Sequence, residues 1–384
     1  MKNKQNGFSL IELMIGMVIG LIAALVITNV LSNYEKQKRS TTGNSDAQTN
    51  GAIALYNIQR DIESAGWGLP TYGEKLSPFL CPLSNVAASN TEINHDNVAG
   101  TPNIGLSPVV ISDGTGTNAS DVISIRYGNT MKSGGTVKVT SPGTNVLTVD
   151  NNLGCNVGDT ALVMRDVNPL PQFCQMTTVT ALSAAAISPV TITLNATTAP
   201  AASLQFDEVA CLGAWNEHQY AIGGAGTMLN QLTRTGALNN AVFPAVNIPN
   251  AAPVAIVPDI VSIQAQYGIT NDLLSNQVTG YVDATGGVWG AAITPANRNR
   301  IKAIRIAVVA RSGLRELSPV SQICTGAAAN LARVCIWNNS AIPTPTDVNL
   351  TGLADWANYR YRVYETIIPL RNMMWSRRVN NGGI

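Results

Sequence analysis

The stretch Gly7-Phe8-Ser9-Leu10-Ile11-Glu12-Leu13, together with the apolar run that follows it, decides how this chain is built. A short polar leader containing Lys2 and Lys4 precedes it, and Glu12 is the only charged residue from position 8 to position 27. Twenty helical residues extend ~30 Å, the thickness of a bilayer core. Basic residues mark the cytoplasmic side of a membrane span. The sequence therefore predicts an amino-terminal transmembrane helix over residues 8–30 that has its leader in the cytoplasm.

Glu12 is the unusual residue of this helix. A carboxylate inside a membrane-spanning segment costs ~2.5–3.5 kcal/mol or more, so such a residue is a candidate functional residue. The simpler alternative is that its side chain reaches the lipid headgroups near the start of the helix.

The segment from Gly7 to Leu13 resembles the class III signal of type IV pilins and of the pseudopilins of type II secretion. The resemblance implies that a prepilin peptidase cleaves between Gly7 and Phe8 and methylates the new amine of Phe8. It also implies that Glu12 of one subunit pairs with the Phe8 ammonium of a neighbour, which would neutralise two costly buried charges. A secretory signal peptide is the competing interpretation, but its apolar region would be shorter and would end in an Ala-x-Ala-like site.

The helix is expected to continue beyond the membrane. Residues 32–65 contain no proline, and apolar or small residues recur there at the three- and four-residue spacing of an amphipathic helix. Gly66, Gly68 and Pro70 provide stop signals. We therefore expect a cleaved leader (1–7), one helix (8–65), a β-rich head region (66–250) and a carboxy-terminal β-sheet region of the head (251–384).

The rest of the chain has the pattern of an antiparallel β protein. Seven short β-branched segments separated by Gly, Pro and Asn lie at 109–112, 122–127, 136–140, 146–149, 161–165, 176–182 and 190–194. A hairpin is predicted for 217–222 and 228–233, and stronger strands for 260–269, 300–311 and 359–370. Residues 243–258 are interpreted as a linker and 324–355 as a loop held by a disulfide. The predicted fold class is α+β and pilin-like: a long amino-terminal helix on an antiparallel β-rich head with an extra β region.

Composition and motifs give no indication of an enzyme. The net charge of +1 argues against a nucleic-acid partner. Gly-x-Ser-x-Gly, His-Glu-x-x-His and Walker motifs are absent from the sequence, so we expect no catalytic residues and no cofactor. No metal site is expected, because there is no Cys-x-x-Cys and the two histidines stand apart from other ligands. His218 lies next to Glu217 on a predicted strand and is expected to have a surface role. Residues 112–121 have some calcium-loop character but lack the closing glutamate, which favours a turn between strands.

Six cysteines follow the membrane segment, and an even number in an exported domain suggests up to three disulfides. Short loops favour the pairs Cys324–Cys335 and Cys155–Cys174. Elimination then leaves Cys81–Cys211. The tryptophans are expected to fill the core or an interface rather than to line a ligand site.

The carboxy-terminal half resembles the PilW group of minor type IV pilins. The resemblance rests on residues 257–269, 304–312 and 361–372 and on the helix end at 58–66. It implies a tip-proximal subunit that primes pilus assembly with other minor pilins and the major pilin and that helps to display a tip adhesin. Before assembly the subunit would lie in the inner membrane with its head in the periplasm, and afterwards in the extracellular pilus. The alternatives are a J-type minor pseudopilin of type II secretion, to which the PilW group is similar, and an adhesin on an ordinary amino-terminal anchor.

Overall fold

The computed structural model describes residues 9–69, 107–116, 119–131, 135–165, 173–184, 189–196, 208–236, 252–272, 275–286, 288–290, 293, 295–321, 333–337, 346–350 and 352–374. Helix α1 (Leu10–Ser64) is the long element that the sequence predicts. It ends where Gly66 and Gly68 adopt positive φ angles of 75° and 79°, a conformation that favours glycine.

The strands are short and numerous. In chain order they are β1 (Val109–Ser112), β2 (Val122–Gly128), β3 (Thr136–Ser141), β4 (Val146–Val149), β5 (Thr160–Arg165), β6 (Phe173–Leu182), β7 (Thr191–Leu194), β8 (Glu208–Gly213), β9 (Trp215–Ile222), β10 (Gln231–Gly236), β11 (Val254–Pro258), β12 (Ile260–Ile269), β13 (Gly280–Val282), β14 (Ile301–Arg311), β15 (Arg333–Ile336), β16 (Thr346–Asn349) and β17 (Tyr361–Pro369). Short helices α2 (Pro295–Arg300) and α3 (Arg371–Met374) and two 3-10 helices (Gly226–Met228 and Trp356–Asn358) complete the described elements.

These strands form two open sheets, a hairpin and a barrel. One sheet has the order β1-β2-β9-β10-β11 and the other β13-β12-β14-β17, and β15 pairs with β16. Strands β3, β4, β7, β6, β5 and β8 close into a barrel in which neighbouring strands are antiparallel. Because β2 and β9 pair directly with each other, the barrel is an insertion between two neighbouring strands of the first sheet. The pilin-like α+β prediction is confirmed.

The main core lies between α1 and the two sheets. Ile58 and Ile62 of α1 are fully buried there. Strand β14 alternates, so that Ile304, Ile306 and Val308 face this core while Ala307 and Val309 face a second core. The β15–β16 hairpin, Leu350 and Leu353 cover that second face. The central strand is therefore buried on both sides, as its nearly continuous apolar sequence predicts.

The barrel has its own interior and also shares the main core. On β5, Ala161 and Val163 point inward, whereas Leu162 and Met164 point outward and join the cluster around α1. This alternation follows from the two-residue period of a strand. The barrel therefore packs as part of the head rather than as a tethered appendage.

The disulfide inside the barrel corrects the predicted connectivity. Cys155 is bonded to Cys211, with the Cα atoms 5.2 Å apart, and both residues are buried in the barrel interior. The predicted pairs Cys155–Cys174 and Cys81–Cys211 are therefore wrong, because each would use a cysteine that is already bonded. Cys335 is also disulfide-bonded. Its predicted partner Cys324, like Cys81, lies outside the described residues.

Two segments that the sequence indicates as irregular contain strands. Residues 254–258, within the predicted linker, form β11 at the edge of the five-stranded sheet, and the loop prediction for 324–355 missed the β15–β16 hairpin. Proline is tolerated at a sheet edge because it need not donate to a neighbouring strand there. Pro258 of β11 therefore does not disturb the ladder.

Candidate assembly site on the amino-terminal helix

Glu12 lies in the first turn of α1 and caps the helix together with Ser9. The Ser9 backbone N–H donates to Glu12 Oε2 at 3.2 Å, and Ile11 N–H donates to Ser9 Oγ at 3.3 Å. This reciprocal arrangement satisfies backbone donors that the first helical turn leaves free. A negative charge at this end is also favoured by the helix dipole. Gly7 and Phe8, the predicted cleavage site, lie outside the described residues.

The helix beyond Glu12 exposes its apolar side chains on all sides. Large apolar residues from Leu10 to Leu31 keep more than half of their surface exposed. By length and composition α1 is long and apolar enough to cross a membrane. A surface of this kind requires lipid or other apolar helices around it. Since the exposed residues include Leu10 and Ile11 beside Glu12, the carboxylate lies on a helix surface that is otherwise apolar.

Small residues allow the second half of α1 to approach the four-stranded sheet closely. Gly43, Ala47, Gly51 and Ala54 are buried on one face of the helix. A methyl group added at Gly51 would lie 2.2 Å from Cε2 of Tyr364 on β17. The Tyr364 ring therefore occupies the space that a larger residue at position 51 would need, and the helix is held at short range above the sheet.

A polar anchor joins the end of α1 to the five-stranded sheet. Asp61 Oδ2 accepts a hydrogen bond from Tyr220 Oη at 2.6 Å and lies 2.6 Å from His218 Nδ1. Arg234 Nη1 is 3.9 Å from the same oxygen. Burial would raise the pKa of Asp61, but the bonds with His218 and Tyr220 and the nearby cations outweigh it and lower the pKa. The sequence-based expectation of a surface role for His218 is wrong. An available signal was the position of Asp61, which lies on the same helical face as Ile58 and Ile62.

The acidic turn at residues 112–121 is structural in the way that the sequence predicts. Asp121 Oδ1 accepts from Gly114 N–H at 2.9 Å, and its Oδ2 accepts from Ala265 N–H of β12 at 2.6 Å. Burial, together with the neighbouring Asp113, raises the pKa of Asp121 to about 7. Among the described residues, no group of three or more acidic, histidine or cysteine side chains is arranged to hold a metal ion. The turn therefore joins the first sheet to β12 through hydrogen bonds.

A long apolar helix whose far half packs under an antiparallel β head defines a pilin-like protein. Residues 2–28 match the prokaryotic N-terminal methylation motif, and residues 219–372 match the PilW family, described as type IV pilus-assembly protein W. The resemblance to the PilW group is thereby confirmed over these residues, and the two matches support the role of a type IV pilus minor pilin. No curated protein and no solved structure gives a match. The PilW match begins within β9, so the inserted barrel lies outside it.

Proposed function

We propose that this protein is a minor pilin that takes part in priming type IV pilus assembly and lies near the filament tip. It is inserted in the inner membrane through α1 and cleaved between Gly7 and Phe8. It then passes into the filament, where Glu12 pairs with the methylated amine of a neighbouring subunit. Its partners are the prepilin peptidase, the major pilin and the other minor pilins, with a tip adhesin as a further candidate.

The observation that carries the proposal is the combination of Glu12 with an exposed apolar helix. From Leu10 to Tyr34, α1 has no other charged residue. In lipid the Glu12 carboxylate has no cationic side chain near it on α1, and the capping bond from Ser9 satisfies only part of its hydrogen-bonding capacity. A bundle of such helices would supply both apolar packing and an ammonium, so the transfer from lipid to the bundle is favoured.

The position of the barrel supports a place near the tip. The barrel joins the head beside the end of α1, where Gly128 N–H donates to Trp67 O at 2.7 Å and Thr130 N–H donates to Leu212 O at 3.1 Å. It therefore lies at the opposite end of the helix from Glu12. A subunit within the shaft would have to fit this bulk beneath the next head. A subunit near the tip has room for it.

Glu12→Gln is the direct test. The variant keeps the side-chain shape and an acceptor for the helix cap but loses the charge, so we expect normal membrane insertion and normal processing to a chain that begins at methylated Phe8. Pilus number should fall, as should co-purification with the other minor pilins. Glu35→Gln is the matched control, because it removes a glutamate from the same helix beyond the apolar run. Wild-type piliation in the Glu12 variant would refute charge pairing.

Deletion of the gene separates the pilus from the secretion alternative. Loss of pili with normal protein secretion is expected, whereas lost secretion with normal pili would identify a J-type pseudopilin. A protein that still carries its leader, detected by mass spectrometry in a host with an active prepilin peptidase, would instead support a tethered adhesin.

A further inference from the structure

Three arginines in or beside the central strand β14 stack on aromatic rings, and they differ in one respect. Arg300 lies over Trp289 with its Cζ 5.2 Å from the ring centroid, and Arg311 lies over Tyr359 at 4.5 Å. Both also donate hydrogen bonds: Arg300 Nε to Thr270 O at 2.9 Å, and Arg311 Nε to Asp259 Oδ1 at 3.2 Å. Stacking therefore leaves the donor edge of a guanidinium free to bind an acceptor, and two of the three arginines do so.

Arg305 is stacked on two rings but donates to no acceptor among the described residues. Its Cζ lies 5.2 Å from the Tyr281 centroid and 4.9 Å from the Trp337 centroid. The residue is only 8% exposed, yet its guanidinium lies close to the surface. A planar cation with five N–H donors is thus held between two rings with its donors unused. Because the guanidinium lies close to the surface, an acceptor from solution can reach these donors.

The surroundings of Arg305 are built to hold the two rings in place. Tyr281 lies across β12 at Gly268, where an added methyl group would meet its Cε1 at 3.2 Å. Trp337 follows β15 directly, beside the disulfide-bonded Cys335, and has a positive φ of 53°, which is unusual for a bulky residue. The rings that flank Arg305 are therefore fixed by a glycine on one side and by a strained, cross-linked hairpin on the other.

Two carboxylates near Arg305 accept hydrogen bonds from other groups, whereas the Oε1 atom of Gln266 is buried without a hydrogen-bond partner. Glu365 accepts a hydrogen bond from the Trp337 backbone N–H. Gln266, opposite Arg305 on β12, donates through Nε2 to Asp283 Oδ1 at 2.7 Å. The negative charges of Glu365 and Asp283 oppose the long-range attraction of an anion to this surface. A ligand would consequently have to bond the guanidinium directly.

We propose that Arg305, held between Tyr281 and Trp337, is a binding site for a carboxylate group. The planar guanidinium matches the two oxygens of a carboxylate in geometry, and the rings fix its orientation before binding. The carboxylate can come from a small free acid or from an acidic side chain of another protein, and both use the same two-oxygen contact.

The test uses the full chain in detergent with 15N-labelled arginine, following side-chain Nε–H signals by NMR. The Arg305 signal is assigned by its loss in Arg305→Lys. Sodium acetate, compared with sodium chloride at equal ionic strength, should shift the Arg305 signal saturably and leave the Arg300 and Arg311 signals in place. A static Arg305 signal, or equal drift of all three signals, would overturn the proposal.

Two further measurements distinguish a loss of binding from a failure to fold and identify the source of the carboxylate. Arg305→Lys should weaken acetate binding, measured calorimetrically, roughly tenfold or more, while Arg311→Lys leaves it unchanged. Should Arg305→Lys not fold, Tyr281→Leu, which removes one ring and keeps the charge, should also weaken it. Retained affinity in both Arg305→Lys and Tyr281→Leu would contradict the assignment. A blocked Gly-Gly-Glu-Gly-Gly peptide that binds as well as acetate indicates a protein side chain, and binding of acetate alone indicates a free acid.

Discussion

The Cys155–Cys211 bond should be a main source of stability in the inserted barrel. It closes a segment with a sequence separation of 56. Restricting an unfolded loop of that length is worth roughly 4 kcal/mol in the chain-entropy treatment. Both sulfurs also lie in the barrel interior, so their removal leaves poorer packing. We therefore expect the double substitution Cys155→Ala with Cys211→Ala to lower the free energy of unfolding by roughly this amount or slightly more.

Urea unfolding of the full chain in detergent is the appropriate assay, because the midpoint and the slope together give the free energy. Wild-type protein treated with a reductant should lose at least this amount, because reduction also opens the disulfide of Cys335. Non-reducing peptide mapping should recover a fragment that contains Cys155 and Cys211. A loss of less than about 1 kcal/mol, within the ordinary range of point mutations, would refute the reasoning about stability. A Cys155–Cys174 fragment would refute the bond itself.

Two other changes test the seat of the helix and the acidic turn. Gly51→Ala places a methyl group 2.2 Å from the Tyr364 ring, and the cost of overpacking, ~1–3 kcal/mol, should exceed the gain of ~1 kcal/mol in helix propensity. Urea unfolding should therefore show destabilisation, whereas Gly20→Ala, which meets no atom within 4 Å, should show none. Burial raises the pKa of Asp121 from 3.8 to about 7, so the folded state retains a proton that the unfolded state releases between these values. The free energy of unfolding should then fall as pH rises from about 4 to about 7, and Asp121→Asn should flatten that slope even if it lowers stability overall; an unchanged slope would contradict the assignment.

Local patterns were sufficient to predict the elements of the pilin-like scaffold. The helix runs from Leu10 to Ser64 against a predicted 8–65, and the predicted strands at 260–269, 300–311 and 359–370 pair as β12, β14 and β17. Each of these segments carries a strong period of its own, set by which side chains face the core. The hairpin predicted across residues 223–226 also forms, as β9 and β10.

Long-range pairing could not be inferred in the same way. The seven short strands predicted in the middle of the chain are all present, but closure of the barrel depends on β8 pairing with both β3 and β5. No local pattern specifies which distant strands pair. The preference for short disulfide loops failed for the same reason, because β8 carries Cys211 into the barrel interior beside Cys155.

Side-chain partners across elements were equally beyond local reasoning. The acidic partner of His218 is not its sequence neighbour Glu217 but Asp61, which lies 157 positions away. The same holds for Arg305, whose two rings come from β13 and from the residue after β15. Alternation along β14 could place Arg305 on a face of the sheet, but only the fold brings Tyr281 and Trp337 to it.

The barrel is encoded separately from the strands that support α1. Strands β2 and β9 pair with each other in a continuous register from Ile123 with Tyr220 to Gly128 with Trp215, so the sheet that supports α1 does not need the barrel between them to set its register. The PilW match begins at residue 219, immediately after the insertion, and contains the strands β12, β14 and β17 on which the helix rests. The strands that support α1 and the strands of the barrel therefore belong to different segments of the chain. The outward-facing residues of β5 and β8, Leu162, Met164, Ala210 and Leu212, join the two through one core, so movement of the barrel against the head would expose apolar surface.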